Sequence, residues 1–207
     1  MLISLDNIIQ KYNLKIKSVL HVGAHECEEM EAYLKAGLSY NNVIWIEAQP
    51  NLVSKMKVRN PNYKIYHKVV SDEDNKEVEF IVTNNVQSSS ILELGEHKKY
   101  HPSVIESYRF KTKTTTLDTF VKDENLNMEN INFLNMDIQG AEFLALKGMK
   151  NNLKYLDYIY LEVNDTHVYE NCGLISDIDD FLREYGFIRV ETCMTDFHWG
   201  DALYIRK

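Results

Sequence analysis

The sequence has few cysteines and no long apolar run. Its three cysteines, Cys27, Cys172 and Cys193, are odd in number, far apart and without the spacing of a metal site. They suit a reducing compartment, so a cytoplasmic location is expected. No stretch approaches the ~20 consecutive apolar residues of a membrane span. The first residues show neither the basic region nor the cleavage site of a signal peptide.

Basic residues are outnumbered, and two sequence patterns are absent. The 207-residue chain has 31 acidic and 23 basic residues and a formal net charge of -8, which argues against nucleic acid as a partner. No internal repeat is visible. No Gly-x-Gly-x-x-Gly phosphate turn is present either, which argues against a nicotinamide dehydrogenase. The oligomeric state is left open by the sequence.

Strand-like and helix-like segments alternate along the chain. Apolar or β-branched runs predict strands, and the segments between most of them have helical periodicity. The predicted strands are 18–22, 43–47, 63–70, 77–82, 111–117, 131–136, 157–163, 187–193 and 202–206. This order predicts a single α/β domain over residues 1–207, with a mostly parallel sheet that an antiparallel hairpin completes at its edge.

Two segments depart from the alternation. Residues 1–17 are predicted to form an N-terminal helical extension, and residues 84–110 form an irregular stretch whose length is typical of a lid or substrate loop. Within it, the hydroxyls of Ser88-Ser89-Ser90 suit a polyhydroxylated ligand, with a flexible linker as the alternative. His97 and His101 have the spacing of a helical metal pair, but no third ligand is evident, so a role in the lid is preferred.

Polar residues follow the predicted strands at one edge of the sheet. Gly23 closes the first strand, and Glu47 closes the next one 24 residues later. This arrangement is typical of a nucleoside site, where the glycine admits the ligand to the backbone and the acid binds ribose hydroxyls. Asp137 ends the 131–136 strand, and Glu162 ends the strand after it. The sequence therefore predicts a nucleoside-cofactor enzyme.

With these residues at the strand ends, the chain resembles class I S-adenosylmethionine-dependent methyltransferases, and more closely the FkbM family. The resemblance runs from about Ser18 to Arg206. The blocks that carry it are Val19–Glu29, Ile46–Pro50, Thr115–Asp118, Asp137–Glu142 with Leu146–Gly148, Glu162–Asn164 and Trp199–Tyr204. The family usually has an acid at the position of His21 and a second glycine at Cys27. Its Lys-x-Asp-x-Glu-Gly block reads Asn135-Met136-Asp137-Ile138-Gln139-Gly140 here.

The resemblance implies a fold, a cofactor and a set of binding residues. The fold is a Rossmann-like class I methyltransferase domain with a seven-stranded, mostly parallel sheet, and the cofactor is S-adenosyl-L-methionine. Ser71 and Asp72 are expected near the adenine. The cofactor-binding residues are expected to be His21, Gly23, His25, Glu47, Ala48, Ser71, Asp72 and Asp137, and the substrate-binding residues Ser88, Ser89, Ser90, Asn164 and Asp201. No metal is expected.

The implied activity is O-methylation, most simply of a sugar hydroxyl in a glycan or nucleotide-sugar, and hence a role in glycan biosynthesis. The general base is expected among Asp137, Glu162, His167 and His198, because a neutral imidazole or a strand-end carboxylate can accept a hydroxyl proton. Two alternatives stay open. One is N- or carboxyl-methylation of another small molecule, and the other is a catalytically silent nucleoside-binding module.

Overall fold

The computed structural model describes residues 2–207, which form strands and helices in alternation. The ten strands are β1 (Val19–Val22), β2 (Val43–Glu47), β3 (Lys64–His67), β4 (Val69–Val70), β5 (Glu77–Thr83), β6 (Glu106–Thr115), β7 (Phe133–Met136), β8 (Tyr158–Asn164), β9 (Phe187–Met194) and β10 (Trp199–Arg206). The α-helices are α1 (Leu5–Lys11), α2 (Met30–Lys35), α3 (Pro50–Arg59), α4 (His97–Tyr100), α5 (Leu117–Asp123), α6 (Glu142–Lys147) and α7 (Ile175–Glu184). Within this part of the chain, no helix has the length and apolarity that crossing a membrane requires.

Seven of the strands form one sheet in the order β3-β2-β1-β7-β8-β10-β9. The pairs from β3 to β8 are parallel, whereas β10 runs antiparallel to both β8 and β9. The last strand, β10, lies between β8 and β9, and β9 forms the edge of the sheet. The predicted single α/β domain with a seven-stranded, mostly parallel sheet and a C-terminal antiparallel hairpin is confirmed.

The central strands are buried because helices cover both faces of the sheet. Every residue of β1, β2 and β7 is buried, as expected of parallel strands in an α/β protein. Successive side chains alternate between two cores. Leu20, Ile44 and Leu134 pack in one core, and Trp45 and Phe133 in the other. The register of the strands therefore decides which polar side chains reach which face of the rim.

A second, three-stranded sheet departs from the predicted strand boundaries. The predicted strand 63–70 divides at Lys68, because β3 pairs with β2 whereas β4 pairs with the end of β6. β6 begins at Glu106 rather than near 111, so the last five residues of the predicted lid belong to a strand paired with β5. Arg109 stabilises this stretch by hydrogen bonding to the carboxylates of Glu93 and Glu106.

The N-terminal segment packs onto the domain. α1 buries Leu5 and Ile8 in the core that also contains Trp45. Ahead of it, the backbone N–H groups of Leu2 and Ile3 donate to one carboxylate oxygen of Asp201, which also accepts from the Tyr160 hydroxyl. The predicted extension over residues 1–17 therefore shares the core of the domain from residue 5 onward, while Met1 lies outside the described residues.

Asp201→Ala is expected to lower the free energy of unfolding by about 3 kcal/mol, because it removes the acceptor of the Leu2 and Ile3 N–H groups and of the buried Tyr160 hydroxyl. Urea denaturation measures the loss. Amide hydrogen exchange of residues 2–12 should become faster in the same variant. Asp196→Ala, in the exposed turn of the same hairpin, is the control and should change stability by less than about 0.5 kcal/mol. Equal stability of both variants would contradict the proposed anchoring of the N-terminal segment.

Candidate active site

The carboxyl ends of β1, β2, β7 and β8 meet at one edge of the sheet and form the floor of a cavity of about 410 Å³. Ligands of open α/β sheets bind at this edge. Of the sequence-predicted site residues, those lining the cavity are His21, Gly23, His25, Glu47, Ala48, Asp137, Glu162, Ser88 and Ser89. Side-chain alternation explains the grouping, because Glu47, Asp137 and Glu162 lie two residues beyond Trp45, Asn135 and Tyr160, which share one face of the sheet.

Gly23 fixes the closest approach of two strand ends. Its backbone has φ +92°, and an added Cβ would overlap the carbonyl oxygen of Asp137. The N–H of Gly23 donates to the carbonyl of Ile46 at 2.9 Å. The position thus requires both the left-handed conformation and the absence of a side chain. The first loop therefore lies directly against the end of β7, with bare backbone at the cavity.

Glu47 holds the same loop from the other side. Its carboxylate accepts from the backbone N–H groups of His25 and Gln49, each at 2.8 Å. Burial raises the pKa of Glu47. Because each carboxylate oxygen can accept more than one hydrogen bond, the side chain keeps acceptor capacity for hydroxyl groups of a ligand in the cavity.

The chain leaves Gly23 through two residues with positive φ. His25 has φ 42° and Cys27 has φ 57°. Cys27 occupies the position at which the FkbM pattern has its second glycine, and its backbone keeps the left-handed conformation that favours glycine. Its side chain is buried in the core. The loop therefore has the backbone path of the pattern without the glycine, and the imidazole of His25 contacts Glu28 at 2.6 Å.

Two carboxylates at the centre of the rim share one amide. The Gln139 Nε2 donates to Asp137 Oδ1 at 2.7 Å and to Glu162 Oε2 at 3.0 Å. The Oε1 of the same amide accepts from the Tyr169 hydroxyl at 2.6 Å. Burial raises the pKa of both acids, and their mutual repulsion raises the pKa of Glu162 further. The pair is thus a proton-binding site held in a fixed geometry.

A third carboxylate lies beside this pair. Glu142 accepts from the backbone N–H of Ile138 at 2.7 Å, and burial raises its pKa to about 8. Among residues 2–207, Asp137, Glu142 and Glu162 form the only group of three potential metal-ligating side chains within 4.8 Å of one another. The amide of Gln139 already neutralises part of their repulsion by hydrogen bonding to two of them.

His21 replaces the usual acid with a neutral ring. Its Nδ1 lies 3.0 Å from the Tyr33 hydroxyl, which also accepts from the side-chain amide of Asn135 at 2.7 Å. Since that hydroxyl has one proton to donate, His21 Nδ1 accepts it and Nε2 carries the ring proton. Burial lowers the pKa of His21 to about 3. The first strand therefore contributes a neutral imidazole to the cavity.

One wall of the cavity contains aromatic rings and imidazoles. Tyr169, Trp199, His97 and His101 line it. The rings of His97 and His101 lie 4.9 Å apart, and His101 lies 4.9 Å from the ring of Phe197. His97 is buried with no hydrogen-bond partner at Nδ1, and burial lowers its pKa to about 4. The histidines predicted for the lid thus form part of the cavity wall.

The structure does not bring every predicted site residue to the cavity. Outside its lining are Ser71, Asp72, Ser90, Asn164, His167, His198 and Asp201. Asp72 instead contacts Lys147 at 3.2 Å, and the neighbouring residues Lys68, Val69 and Val70 line the cavity. Ser71 is buried beside Gly148.

The two predicted histidine bases have other partners. The Nδ1 of His167 lies 3.1 Å from the carbonyl of Cys172, and the Nδ1 of His198 lies 2.8 Å from Asp165. Neither ring lines the cavity, although the neighbouring residues Val168 and Trp199 do. The carboxylates Asp137 and Glu162, by contrast, are placed by the strands themselves.

The predicted substrate serines are held by the protein itself. Ser88 and Ser89 line the cavity, but their hydroxyls accept from the Asn85 side chain and the Thr83 N–H. The Ser90 hydroxyl donates to the carbonyl of Gln139 at 2.8 Å. Asn164 is buried with no partner at Oδ1, and Asp201 holds the N-terminal segment. The hydroxyl oxygens of these serines are thus already bonded within the protein.

Sequence reasoning did not single out Gln139 or Tyr169 as site residues, although they connect the carboxylates to the wall. Gln139 follows Asp137 by two residues, so its place next to the strand end was a usable signal. Tyr169 lies in a loop without periodicity, and its contact with residues 88 and 139 is a long-range one. Glu29 and Trp199 fell within recognised blocks without being assigned a role.

Gly23→Ala is expected to lower the free energy of unfolding by roughly 2–4 kcal/mol, since it adds an overlap with the end of β7 to the strain of positive φ. Gly37→Ala is the matched control, because Gly37 has φ +87° and open space around a Cβ. Gly37→Ala should lower the free energy of unfolding by only about 1–2 kcal/mol. Urea denaturation of both variants checks the difference, and equal losses would show that no close approach exists at Gly23.

Comparison with known proteins places this geometry in a family. The profile of the "Methyltransferase FkbM domain" family matches residues 21–189, and a search of curated proteins found no match. Among solved structures, a proposed tRNA (m1A22) methyltransferase, Sp1610 of Streptococcus pneumoniae, is 10% identical with a TM-score of 0.51, covering 100% of this chain and 70% of that chain.

A protein of the NADB-Rossmann superfamily from Streptococcus agalactiae is also similar, at 12% identity and a TM-score of 0.50, covering 100% of this chain and 69% of that chain. At such identities the two structures confirm the fold alone. The family match spans most of the sequence and includes Gly23, Glu47, Asp137 and Glu162. The chain belongs to the FkbM methyltransferase family and is an S-adenosylmethionine-dependent methyltransferase.

Proposed function

We propose that the protein transfers the methyl group of S-adenosylmethionine to a hydroxyl of a sugar in a neutral glycan. The observation that carries the proposal is the pair of carboxylates, Asp137 and Glu162, fixed by the amide of Gln139 on the floor of the cavity. O-methylation needs a group that accepts the hydroxyl proton, and this pair is suited to that role.

The described residues fit the cofactor. The close approach at Gly23 leaves the backbone bare beside the cavity, and Glu47 offers carboxylate oxygens for ribose hydroxyls. Ala48, Val69, Val70 and Phe80 line the cavity next to Glu47 and would bind the adenine. Once bound, the cofactor supplies an electrophilic methyl group on a sulfonium. The protein then has to place the acceptor oxygen in line with that methyl.

The two carboxylates are better bases than exposed acids. Burial raises the pKa of both acids, and repulsion by Asp137 raises the pKa of Glu162 further, so each carboxylate binds a proton more strongly than an ordinary carboxylate does. The Gln139 amide and the Tyr169 hydroxyl behind it fix the orientation of both acids. The proton taken from the acceptor hydroxyl then resides on one of the two carboxylates.

The wall of the cavity that contains aromatic rings and imidazoles suits a sugar ring. Trp199 and Tyr169 offer aromatic rings, and the imidazoles of His97 and His101 offer hydrogen-bonding nitrogens. The C–H face of a sugar packs on an aromatic ring, while its hydroxyls need polar partners. The unpartnered Nδ1 of buried His97 is one such partner. The predicted lid over residues 84–110 supplies His97 and His101, and we propose that it closes over the acceptor.

Charge favours a neutral glycan over a phosphate-bearing acceptor. Among the lining residues, Lys68 is the only lysine or arginine, whereas five are acidic: Glu28, Glu29, Glu47, Asp137 and Glu162. Phosphate groups of a nucleotide-sugar or a nucleic acid would be repelled by this lining. A carboxylate acceptor is already deprotonated near neutral pH and would make no use of Asp137 and Glu162 as a base.

Incubation of the protein with cofactor and a panel of acceptors tests the substrate class. Mass spectrometry should show an added methyl group on a neutral oligosaccharide and none on a nucleotide-sugar, a tRNA, or a set of amines and carboxylic acids. Methylation of tRNA alone, or of an amine alone, would contradict the sugar assignment. Cofactor binding without transfer to any hydroxyl compound would favour a silent binding module.

Asp137→Asn and Glu162→Gln are each expected to lower turnover by ~10²–10⁴-fold, the usual contribution of a general base. Both amides keep an oxygen that can accept from Gln139, so the fold should be preserved. Titration calorimetry with S-adenosylhomocysteine should give affinities within about threefold of the parent protein. His198→Ala is the control with unchanged turnover, since His198 is paired with Asp165 away from the cavity. Near-normal rates in both carboxylate variants would show that positioning alone drives the reaction.

A further inference from the structure

One acid of the cavity has no hydrogen-bond partner in any other described residue. Glu47, Asp137 and Glu162 accept the hydrogen bonds given above. Glu28 accepts from the His25 ring at 2.6 Å and from the Glu26 N–H at 3.0 Å. Glu29 also lines the cavity, yet among residues 2–207 no donor from another residue lies within hydrogen-bond distance of its carboxylate.

His21 lies close to Glu29, with its Nε2 3.9 Å from Glu29 Oε2. That distance is too long for a hydrogen bond. It is not a salt bridge either, since the buried imidazole is neutral. The Glu29 side chain is only 25% exposed, and this burial raises its pKa. A partly desolvated carboxylate of this kind is stabilised by a cationic partner, and among residues 2–207 no lysine or arginine lies within ion-pair distance of it.

The cofactor carries such a cation. S-adenosylmethionine ends in an amino acid whose ammonium group needs a hydrogen-bonding anion in the cavity. Glu47 lies at the end of β2, and β1 is the next strand of the sheet. A ligand whose ribose is bound at Glu47 therefore passes Gly23 and reaches the wall formed by His21 and Glu29.

We propose that Glu29 binds the α-ammonium group of the cofactor and supplies the negative charge that position 21 lacks in this chain. Glu29 directly precedes α2, so its carboxylate is presented by the start of that helix and not by the end of β1. The neutral His21 remains beside it as a hydrogen-bond donor through Nε2. This inference rests on the use of S-adenosylmethionine and is independent of the acceptor.

Calorimetry with two ligands tests the assignment without any turnover. S-adenosylhomocysteine contains the amino acid, whereas 5′-methylthioadenosine has the same nucleoside and sulfur without it. Glu29→Gln is expected to weaken the binding of S-adenosylhomocysteine about 10- to 100-fold, because it removes a charge-assisted hydrogen bond. It should leave the affinity for 5′-methylthioadenosine within about twofold.

Glu31→Gln is the matched control, because Glu31 is in the same helix, exposed and paired with Lys35. It should change neither affinity. Equal weakening of both ligands by Glu29→Gln would mean a general distortion of the pocket and would overturn the assignment, as would the absence of any weakening. If the parent protein bound neither ligand, the cofactor assignment itself would fall, and with it the role of Glu29.

Discussion

The amide of Gln139 holds two buried carboxylates together, and the shape of the cavity depends on this contact. Its Nε2 bonds both Asp137 and Glu162, its Oε1 accepts from Tyr169, and its backbone carbonyl accepts from Ser90. One residue thus joins two strand ends to two loops. Without it, two acids with raised pKa values would face each other across a desolvated floor, and repulsion would separate them.

The departures from the FkbM pattern at Asn135, Gln139 and His21 change the charge around the Gln139 contact. Where the pattern has a lysine and a glutamate, the chain has Asn135 and Gln139, so one positive and one negative group are lost together. Asn135 is fully buried and donates to Tyr33, whose hydroxyl also bonds His21. Neutral hydrogen-bonding groups therefore replace charged ones under the floor of the cavity, and the charge of the first strand is lost as well. The acidic side chain of Glu29 lies close to the neutral His21.

The sequence allowed the strand ends to be predicted because apolar runs mark where buried strands stop. Gly23, Glu47, Asp137 and Glu162 follow such runs directly, and all four line the cavity. Positions in loops were less predictable. His198 is turned toward Asp165 by its hairpin connection, and the strand 63–70 divides because β4 finds its partner in the distant β6. These contacts join residues far apart in sequence, which local patterns do not encode.

The two walls of the cavity differ in how firmly they are held. The floor consists of paired strand ends, whereas the segment before β6 has fewer supports. Ser88 to Ser90 are buried and bonded, and the N–H groups of Glu96 and His97 donate to the carbonyls of His167 and Val168. Beyond α4, residues 102, 103 and 105 are exposed. Any closure over an acceptor therefore has to keep these hydrogen bonds and move the residues that follow His101. That movement would bring the His101 imidazole against the bound sugar ring.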